Sequence, residues 1–172
     1  MVIMMCGRFY IEADDFKDIL SKITINYEKE IYPGTNILAI IIDNGYKAVF
    51  MHWGTTFHNK KVINARYENL SNTYFKSYKP CVVLASGYFE WNKDHEKFYI
   101  SNPECKYLAA IYRNNDIVIL TYEASKQLQT IHNRMPILLN KKDAITYLNT
   151  NKLAITDKTY DIQLIDHQIR LF

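Results

Sequence analysis

The chain has few of the residues that would crosslink it, bind a metal or hold it in a membrane. It contains three cysteines, an odd number with no Cys-x-x-Cys pair, and five histidines scattered without the spacing of metal ligands. This argues against a disulfide framework, favours a reducing compartment, and leaves no metal or cofactor predicted. The longest apolar run, residues 37–42, is too short to cross a bilayer, and residues 1–5 are too few for a signal peptide. We therefore predict a cytoplasmic protein without a membrane partner.

The excess of positive over negative side chains is also small. The chain has 21 Lys and Arg against 18 Asp and Glu, a net charge of +3, so any contact with nucleic acid must come from a local patch. Aromatic residues are plentiful at 14%, and they offer flat surfaces as well as core volume. A length of 172 residues with 48% hydrophobic residues suits one domain, residues 1–172.

The apolar pattern predicts strands that come mostly in hairpins. Residues 37–42 and 46–53 flank Asp43-Asn44-Gly45, where Asn-Gly tolerates the positive φ values of a type I′ turn. Further predicted strands are residues 81–91 paired with 97–100, residues 107–112 paired with 117–122, and residues 135–139.

Helices are predicted to be few and short. Helical spacing of apolar residues indicates an amphipathic helix over residues 13–23 and shorter helices at residues 70–78, 124–131 and 143–148, the last capped by Asn140. We expect an α+β fold: a single domain of twisted, mainly antiparallel, open barrel-like sheet flanked by these helices.

Four stretches carry more polar and special residues than a core strand needs. They are Cys6-Gly7-Arg8-Phe9, Asn64-Ala65-Arg66-Tyr67-Glu68, Gly87-Tyr88-Phe89-Glu90-Trp91 and Ile131-His132-Asn133-Arg134-Met135-Pro136. Taken singly, each key residue has an ordinary explanation. These explanations are a buried thiol for Cys6, a turn residue for Asn64, a solvated carboxylate for Glu90 and a structural imidazole for His132.

The position of Cys6 near the amino terminus allows a sharper interpretation. If the chain began at Cys6, this residue would present both an α-amine and a thiol, each partly in its nucleophilic form near neutral pH. Such a 1,2-aminothiol condenses with an aldehyde to an imine, and the imine then closes through sulfur to a thiazolidine ring.

Taken together, in this order and with this spacing, the four stretches resemble the SOS-response-associated peptidase (SRAP) family of abasic-site processing proteins. The resemblance covers residues 6–148. The other matching residues are Trp53-Gly54, Cys81, Thr121 and Ala124.

The resemblance implies a covalent DNA-repair chemistry. In this family the exposed cysteine, here Cys6, forms a thiazolidine with the ring-opened abasic site of single-stranded DNA and shields the strand during the SOS response. Asn64 would orient the cysteine and the sugar, Glu90 would move protons during imine formation and reversal, and His132 would assist opening of the sugar ring. Autoproteolytic and lyase activities are implied by the same chemistry.

DNA contacts are predicted beside these residues. Arg8, Arg66 and Arg134 would hold backbone phosphates, since a guanidinium offers a bidentate fork. Trp53, Trp91 and Pro33 would supply stacking or wedge surfaces, with core packing as the alternative for the two tryptophans. The predicted partner is single-stranded DNA with abasic sites, bound by a monomer that is nucleoid-associated when on DNA.

The sequence departs from the family pattern in three places. Residues 1–5 precede Cys6, so either translation starts at Met5 or the protein removes the segment itself; otherwise the amine is masked. Leu84 stands where a proline is common, and residues 76–80 replace an arginine-rich approach, which weakens the predicted phosphate grip there. The chain is also shorter than typical members.

Two alternatives remain open from the residues alone. A thiol peptidase would use Cys6 as nucleophile, His132 as base, and Glu90 or Asn64 to orient it. A non-catalytic single-strand binder would use the arginines and aromatic residues.

Overall fold

Strands dominate the protein. The computed structural model describes residues 6–23, 30–71 and 74–166, so the removable segment predicted at residues 1–5 lies outside the described residues. The strands are β1 Arg8–Tyr10, β2 Glu30–Ile31, β3 Asn36–Ile42, β4 Tyr46–Trp53, β5 Thr55–Phe57, β6 Lys60–Val62, β7 Asn64–Arg66, β8 Lys79–Leu84, β9 Gly87–Trp91, β10 Lys97–Ser101, β11 Tyr107–Arg113, β12 Asp116–Glu123, β13 Arg134–Pro136, β14 Leu138–Leu139 and β15 Asp161–Asp166. The α-helices are α1 Lys17–Leu20 and α2 Lys141–Thr150.

The larger sheet closes on itself. Its strands follow the order β12, β4, β3, β8, β11, and β11 pairs again with β12, which completes a ring of five strands. The β3–β4 and β11–β12 hairpins are confirmed, and Asn44 and Gly45 have the expected positive φ, 51° and 111°. The predicted mainly antiparallel α+β fold is confirmed, but the barrel is closed rather than open and includes the parallel pair β4–β12.

The second sheet has five strands in the order β15, β10, β9, β1, β2. It contains the confirmed β9–β10 hairpin. The single strand predicted over residues 81–91 is wrong, because Ala85 and Ser86 donate to the carbonyls of Lys106 and Tyr10 and so carry the chain from the barrel to this sheet. Strand β1 therefore lies beside β9, with Arg8 opposite Phe89.

Three of the four predicted helices are shorter than predicted or are replaced by turns. Residues 13–23 form a 3-10 helix, Ala13–Phe16, and then only α1. Residues 124–131 form successive turns, since the few backbone hydrogen bonds there mix three- and four-residue spacings and so short a segment does not nucleate a helix easily. The helix predicted near residues 70–78 is replaced, where described, by turns that follow a 3-10 helix, Tyr67–Asn69.

Of the two remaining predicted elements, the last helix is confirmed and the strand over residues 135–139 is divided. Helix α2 is confirmed with its cap, because the Asp143 amide donates to Asn140 Oδ1 at 2.8 Å. The strand predicted over residues 135–139 is split into β13 and β14, which pair with β12 and β11. Among the described residues no helix is long and apolar enough to cross a membrane.

Candidate active site

Cys6 and Glu90 meet where β1 and β9 run side by side. The Cys6 backbone N–H donates to Glu90 Oε2 at 3.1 Å, and the Trp91 N–H donates to Glu90 Oε1 at 3.2 Å. Cys6 is fully buried and Glu90 is 3% exposed. The nitrogen that would become an α-amine if the chain began at Cys6 is therefore already in contact with a carboxylate.

Burial controls the proton affinity of both groups. Burial raises the pKa of the Glu90 carboxyl, and it stays raised although the Cys6 amide, the charge of His132 and the Trp91 amide act in the opposite direction. Burial also raises the pKa of the Cys6 thiol, and the negative charge of Glu90 adds to this rise. With residues 1–5 in place, the Cys6 sulfur is therefore a thiol rather than a thiolate at neutral pH.

His132 follows the turns of residues 125–131 and is half-buried. Its backbone N–H donates to the Leu128 carbonyl at 3.0 Å, and the Arg134 N–H donates to its Nδ1 at 3.0 Å. The same Nδ1 lies 3.2 Å from the Arg134 carbonyl, so it accepts from the amide when unprotonated and donates to the carbonyl when protonated. Since the charge of His132 acts on Glu90, the structure places these two predicted residues in one electrostatic environment.

Asn64 and Arg66 begin and end β7, which runs parallel to β12. Asn64 lies opposite Ile119 and is half-buried, whereas Arg66 lies opposite Thr121 and is exposed. These positions keep Arg66 available to a ligand in solution. They also place Asn64 on the barrel, while Glu90 belongs to the five-stranded sheet and Cys6 lies just before its strand β1.

A family model described as SOS response associated peptidase (SRAP) matches residues 5–168. The chain belongs to the SRAP family. The match confirms the resemblance drawn from the four polar stretches. Within the described part of this SRAP chain, no three His, Cys, Asp or Glu side chains group as a metal site requires.

Curated relatives of the SRAP chain carry a common name. Abasic site processing protein YMR114C of Saccharomyces cerevisiae is 30% identical over 154 residues, which are 74% of this chain and 42% of that protein. Abasic site processing protein YobE of Bacillus subtilis is 26% identical over 186 residues, 86% of this chain and 84% of that protein. The chain thus spans less than half of the yeast relative.

Solved structures share the SRAP fold. A protein from Bordetella bronchiseptica superimposes with a TM-score of 0.75 at 14% identity, covering 94% of this chain and all (100%) of that one. A protein from Bacteroides thetaiotaomicron gives 0.70 at 16% identity, covering 94% and 92%. At these identities the likeness establishes the fold.

Arg134 does not present a free fork in the SRAP structure. Its Nη1 and Nη2 donate to Glu68 Oε1 and Oε2 at 2.6 and 2.8 Å, and Nη2 also donates to the Thr121 carbonyl at 2.8 Å. The hydrogen bond from Arg134 holds the pKa of the Glu68 carboxyl below its ordinary value. In this structure Arg134 therefore fixes the strand that follows His132, and the phosphate contact predicted for it stays a prediction.

The two tryptophans have different environments. Trp53 is fully buried, donates from Nε1 to the Ile63 carbonyl at 3.1 Å and packs 5.1 Å from the Phe9 ring, so the stacking surface predicted for it is wrong. Trp91 is half-buried, and the Arg8 guanidinium lies 5.0 Å from its ring centroid. The core explanation holds for Trp53 alone.

Pro33 occupies the turn that leads into β3. The next residue, Gly34, has a positive φ of 86° and donates to the Trp53 carbonyl at 2.8 Å. The half-buried Pro33 ring is held at the surface by this turn. Its predicted wedge role stays a prediction.

Sequence reasoning missed Glu30, which contacts Arg8, and Lys97, which contacts Glu30. Glu30 accepts from Arg8 Nη1 at 3.1 Å and from Lys97 Nζ at 2.9 Å. Neither lies in a motif, and only the strand order β10, β9, β1, β2 brings them together. No local pattern in the sequence could have paired them.

Proposed function

We propose that this protein captures abasic sites in single-stranded DNA covalently through Cys6 once residues 1–5 no longer precede it. The observation that carries the proposal is the 3.1 Å hydrogen bond from the Cys6 nitrogen to Glu90 Oε2. The relatives named abasic site processing proteins supply the lesion class.

The chemistry follows from the groups in contact. The Cys6 amine adds to the aldehyde carbon of the ring-opened sugar and gives a carbinolamine, which loses water to form an imine. The Cys6 sulfur then adds to the imine carbon and closes a thiazolidine, so the overall change is aldehyde plus aminothiol giving ring plus one water. Glu90 takes a proton from the ammonium and returns one to the departing hydroxyl, and burial, which raises the pKa of Glu90, favours the protonated form that the second transfer needs.

His132 is suited to the step that frees the aldehyde. An abasic sugar is mostly a closed hemiacetal, so opening needs a proton at the ring oxygen and loss of one from the C1′ hydroxyl. A protonated ring nitrogen of His132 serves as the acid, while the Arg134 backbone holds the ring through Nδ1. Asn64 is proposed to orient the sugar.

The peptidase part of the family name concerns the bond before Cys6. Removal of residues 1–5, by the protein itself or by translation from Met5, unmasks the amine that Glu90 already contacts. A general thiol peptidase is less well supported, because such an enzyme needs a base within hydrogen-bond reach of the thiol and the described hydrogen bonds of the His132 ring go to Arg134. The lyase activity is proposed to arise from the same imine.

Arg8, Arg66, Trp91 and Pro33 are proposed as contacts to the strand on either side of the lesion. All four are half-buried or exposed, so a ligand reaches them from solution. We further propose that the protein acts as a monomer in the cytoplasm and on the nucleoid.

The test uses protein that begins at Cys6, released from a cleavable amino-terminal fusion and confirmed by intact mass. Mixed with a single-stranded oligonucleotide carrying one abasic site, it should give a heat-stable band whose mass is the sum of both minus one water. Cys6→Ala should abolish the band. A form with one glycine before Cys6 keeps the thiol and blocks the amine, so crosslinking by that form, or no band from the Cys6 form, contradicts the proposal.

A further inference from the structure

One carboxylate holds two cations on the face of the five-stranded sheet opposite to Glu90. Glu30 accepts from Arg8 Nη1 at 3.1 Å, and Lys97 Nζ donates to both of its oxygens at 2.9 and 3.1 Å. The three side chains together carry one net positive charge. Arg8 and Lys97, which Glu30 bridges, are called the cation pair below. All three side chains are partly exposed, Arg8 to 36%, Glu30 to 26% and Lys97 to 17%.

Aromatic rings lie against both members of the cation pair. The Arg8 guanidinium lies 4.6 Å from the Tyr32 ring centroid and 5.0 Å from that of Trp91. Lys97 Nζ lies 4.2 Å from the Phe89 ring centroid and 5.6 Å from that of Trp91. Cations interleaved with flat rings are the arrangement with which proteins follow a single nucleic-acid strand.

The cation pair lies next to the proposed reaction site. Arg8 follows Cys6 by two residues, a span of at most about 7 Å of chain, and Trp91 follows Glu90 directly. The phosphates that flank an abasic sugar are bonded to it through its 5′ and 3′ oxygens. Cys6 and Trp91 lie at the same end of the antiparallel strands β1 and β9, so the proposal requires the DNA strand to pass round that end from Glu90 to Arg8.

We propose that Glu30 is a built-in substitute for a DNA phosphate. It holds Arg8 and Lys97 in the free protein, and a backbone phosphate of single-stranded DNA displaces it on binding. Carboxylate and phosphate oxygens both accept charge-assisted hydrogen bonds from the same donors, so the exchange needs no new donor geometry. This inference rests on the proposed function, since it requires a strand at Cys6, and it adds Lys97 to the DNA contacts.

The exchange lowers the affinity for undamaged DNA. Binding of a phosphate gains its contacts with the two cations only after the contacts with Glu30 are lost, so the net gain is smaller than two free cations would give. The protein then releases an intact strand readily, whereas a strand with an abasic site is retained by the covalent bond. Glu30 thus weakens binding to undamaged DNA without preventing covalent attachment at an abasic site.

The test measures binding of the full chain to a lesion-free, fluorescein-labelled single-stranded oligonucleotide by fluorescence anisotropy. Glu30→Gln removes the charge but keeps the shape, and we expect about fivefold tighter binding at low salt, since an exposed ion pair is worth roughly 1.5- to 5-fold. The matched control is Glu104→Gln, which removes the same charge from an exposed side chain in no described ion pair. Equal gains in the two variants overturn the proposal.

A second variant keeps the test decisive if Glu30→Gln folds poorly. Lys97→Gln should weaken binding and reduce the slope of log affinity against log salt by about 0.7, the value for one phosphate of a single strand. Lys152→Gln, at an exposed position after α2, should do neither. When Glu30→Gln is made in the Lys97→Gln background, the increase in DNA affinity should be smaller than in the wild type, because only Arg8 remains to be released from Glu30.

The outcomes separate this inference from the proposed function. If protein with a free Cys6 amine forms no adduct with abasic DNA, the proposed function fails, and with it the strand that would displace Glu30. If the adduct forms but the Lys97 and Lys152 variants bind lesion-free DNA equally well, only the cation pair is refuted.

Discussion

The Cys6 nitrogen and Glu90 Oε2 come from positions 84 residues apart in the chain and lie 3.1 Å apart. Glu90→Gln keeps an oxygen acceptor there but can no longer carry a proton. We expect this change to slow thiazolidine formation by about 10²- to 10⁴-fold, the usual range for a general acid–base group. The measurement is the time course of the crosslinked band, with binding to lesion-free DNA unchanged as the control. An unaltered rate would remove Glu90 from the mechanism.

The same substitution should stabilise the protein at neutral pH. Because burial raises the pKa of Glu90, the folded state binds its proton more tightly than the unfolded state, and stability falls as pH rises from the ordinary carboxyl pKa of 4.5 through the raised value. Thermal unfolding should show that Glu90→Gln raises Tm more at pH 7 than at pH 4.

Glu30 provides the control of opposite sign. Burial raises the pKa of Glu30, but Lys97 and Arg8 outweigh it and hold the pKa below its ordinary 4.5. Glu30 therefore contributes stability above pH 4.5 that is lost as pH falls through its lowered pKa. Equal pH profiles for the Glu30 and Glu90 variants would contradict both assignments.

Gly87 admits no side chain. A Cβ there would lie 2.6 Å from the Tyr99 hydroxyl and 2.7 Å from the Ile100 carbonyl oxygen, and the latter belongs to the paired backbone of β10. We expect Gly87→Ala to destabilise the fold by about 1–3 kcal/mol, as overpacking does. Denaturant unfolding gives the value, and Gly7→Ala, where the added Cβ meets no described atom within 4 Å, should change stability far less.

Substitution of Arg134 should reduce the stability of the fold rather than the affinity for DNA. Arg134→Lys loses the two-pronged contact with Glu68 and leaves polar atoms near Thr121 poorly paired, so we expect a loss of about 1 kcal/mol. Arg66→Lys, at an exposed position, should leave Tm unchanged and weaken DNA binding. Calorimetry combined with anisotropy distinguishes the two, and the reverse result would favour Arg134 as a phosphate contact.

Substitutions of the two tryptophans should likewise affect different properties, stability for Trp53 and DNA binding for Trp91. Trp53→Phe removes the hydrogen bond to the Ile63 carbonyl and leaves a gap in the core, a cost of about 1–3 kcal/mol in unfolding free energy. Trp91→Ala should instead weaken binding of single-stranded DNA by about 1–3 kcal/mol if a base stacks on it. Binding loss with Trp53→Phe at full stability would reverse this assignment.

Local sequence was sufficient for the hairpins and for helix α2. Asn44 and Gly45 impose their turn by backbone conformation, and Asn140 caps α2 by a hydrogen bond three residues away. Both effects act within a few residues, so they can be recognised without knowledge of the rest of the chain. The break at Ala85 and Ser86 could not, because it depends on carbonyls from Lys106 and Tyr10.

Local motifs name candidate site residues but not their contacts. The roles assigned to Cys6, Glu90 and His132 stay predictions, and the partners of Arg8 and Arg134 follow from strand order and long-range pairing. Trp53 shows the same limit, since an indole in a motif looks alike whether it faces a ligand or the core. Its burial is decided by Phe9 and Ile63, from other strands or loops.

The burial of the three cysteines also bears on oxidative chemistry. Cys6, Cys81 and Cys105 are all buried free thiols, and burial raises the pKa of each. Peroxide and alkylating reagents attack the thiolate, so all three sulfurs should be slow to react in the intact 172-residue chain. Under the proposed function, burial keeps the Cys6 sulfur reduced until the amine of Cys6 is exposed.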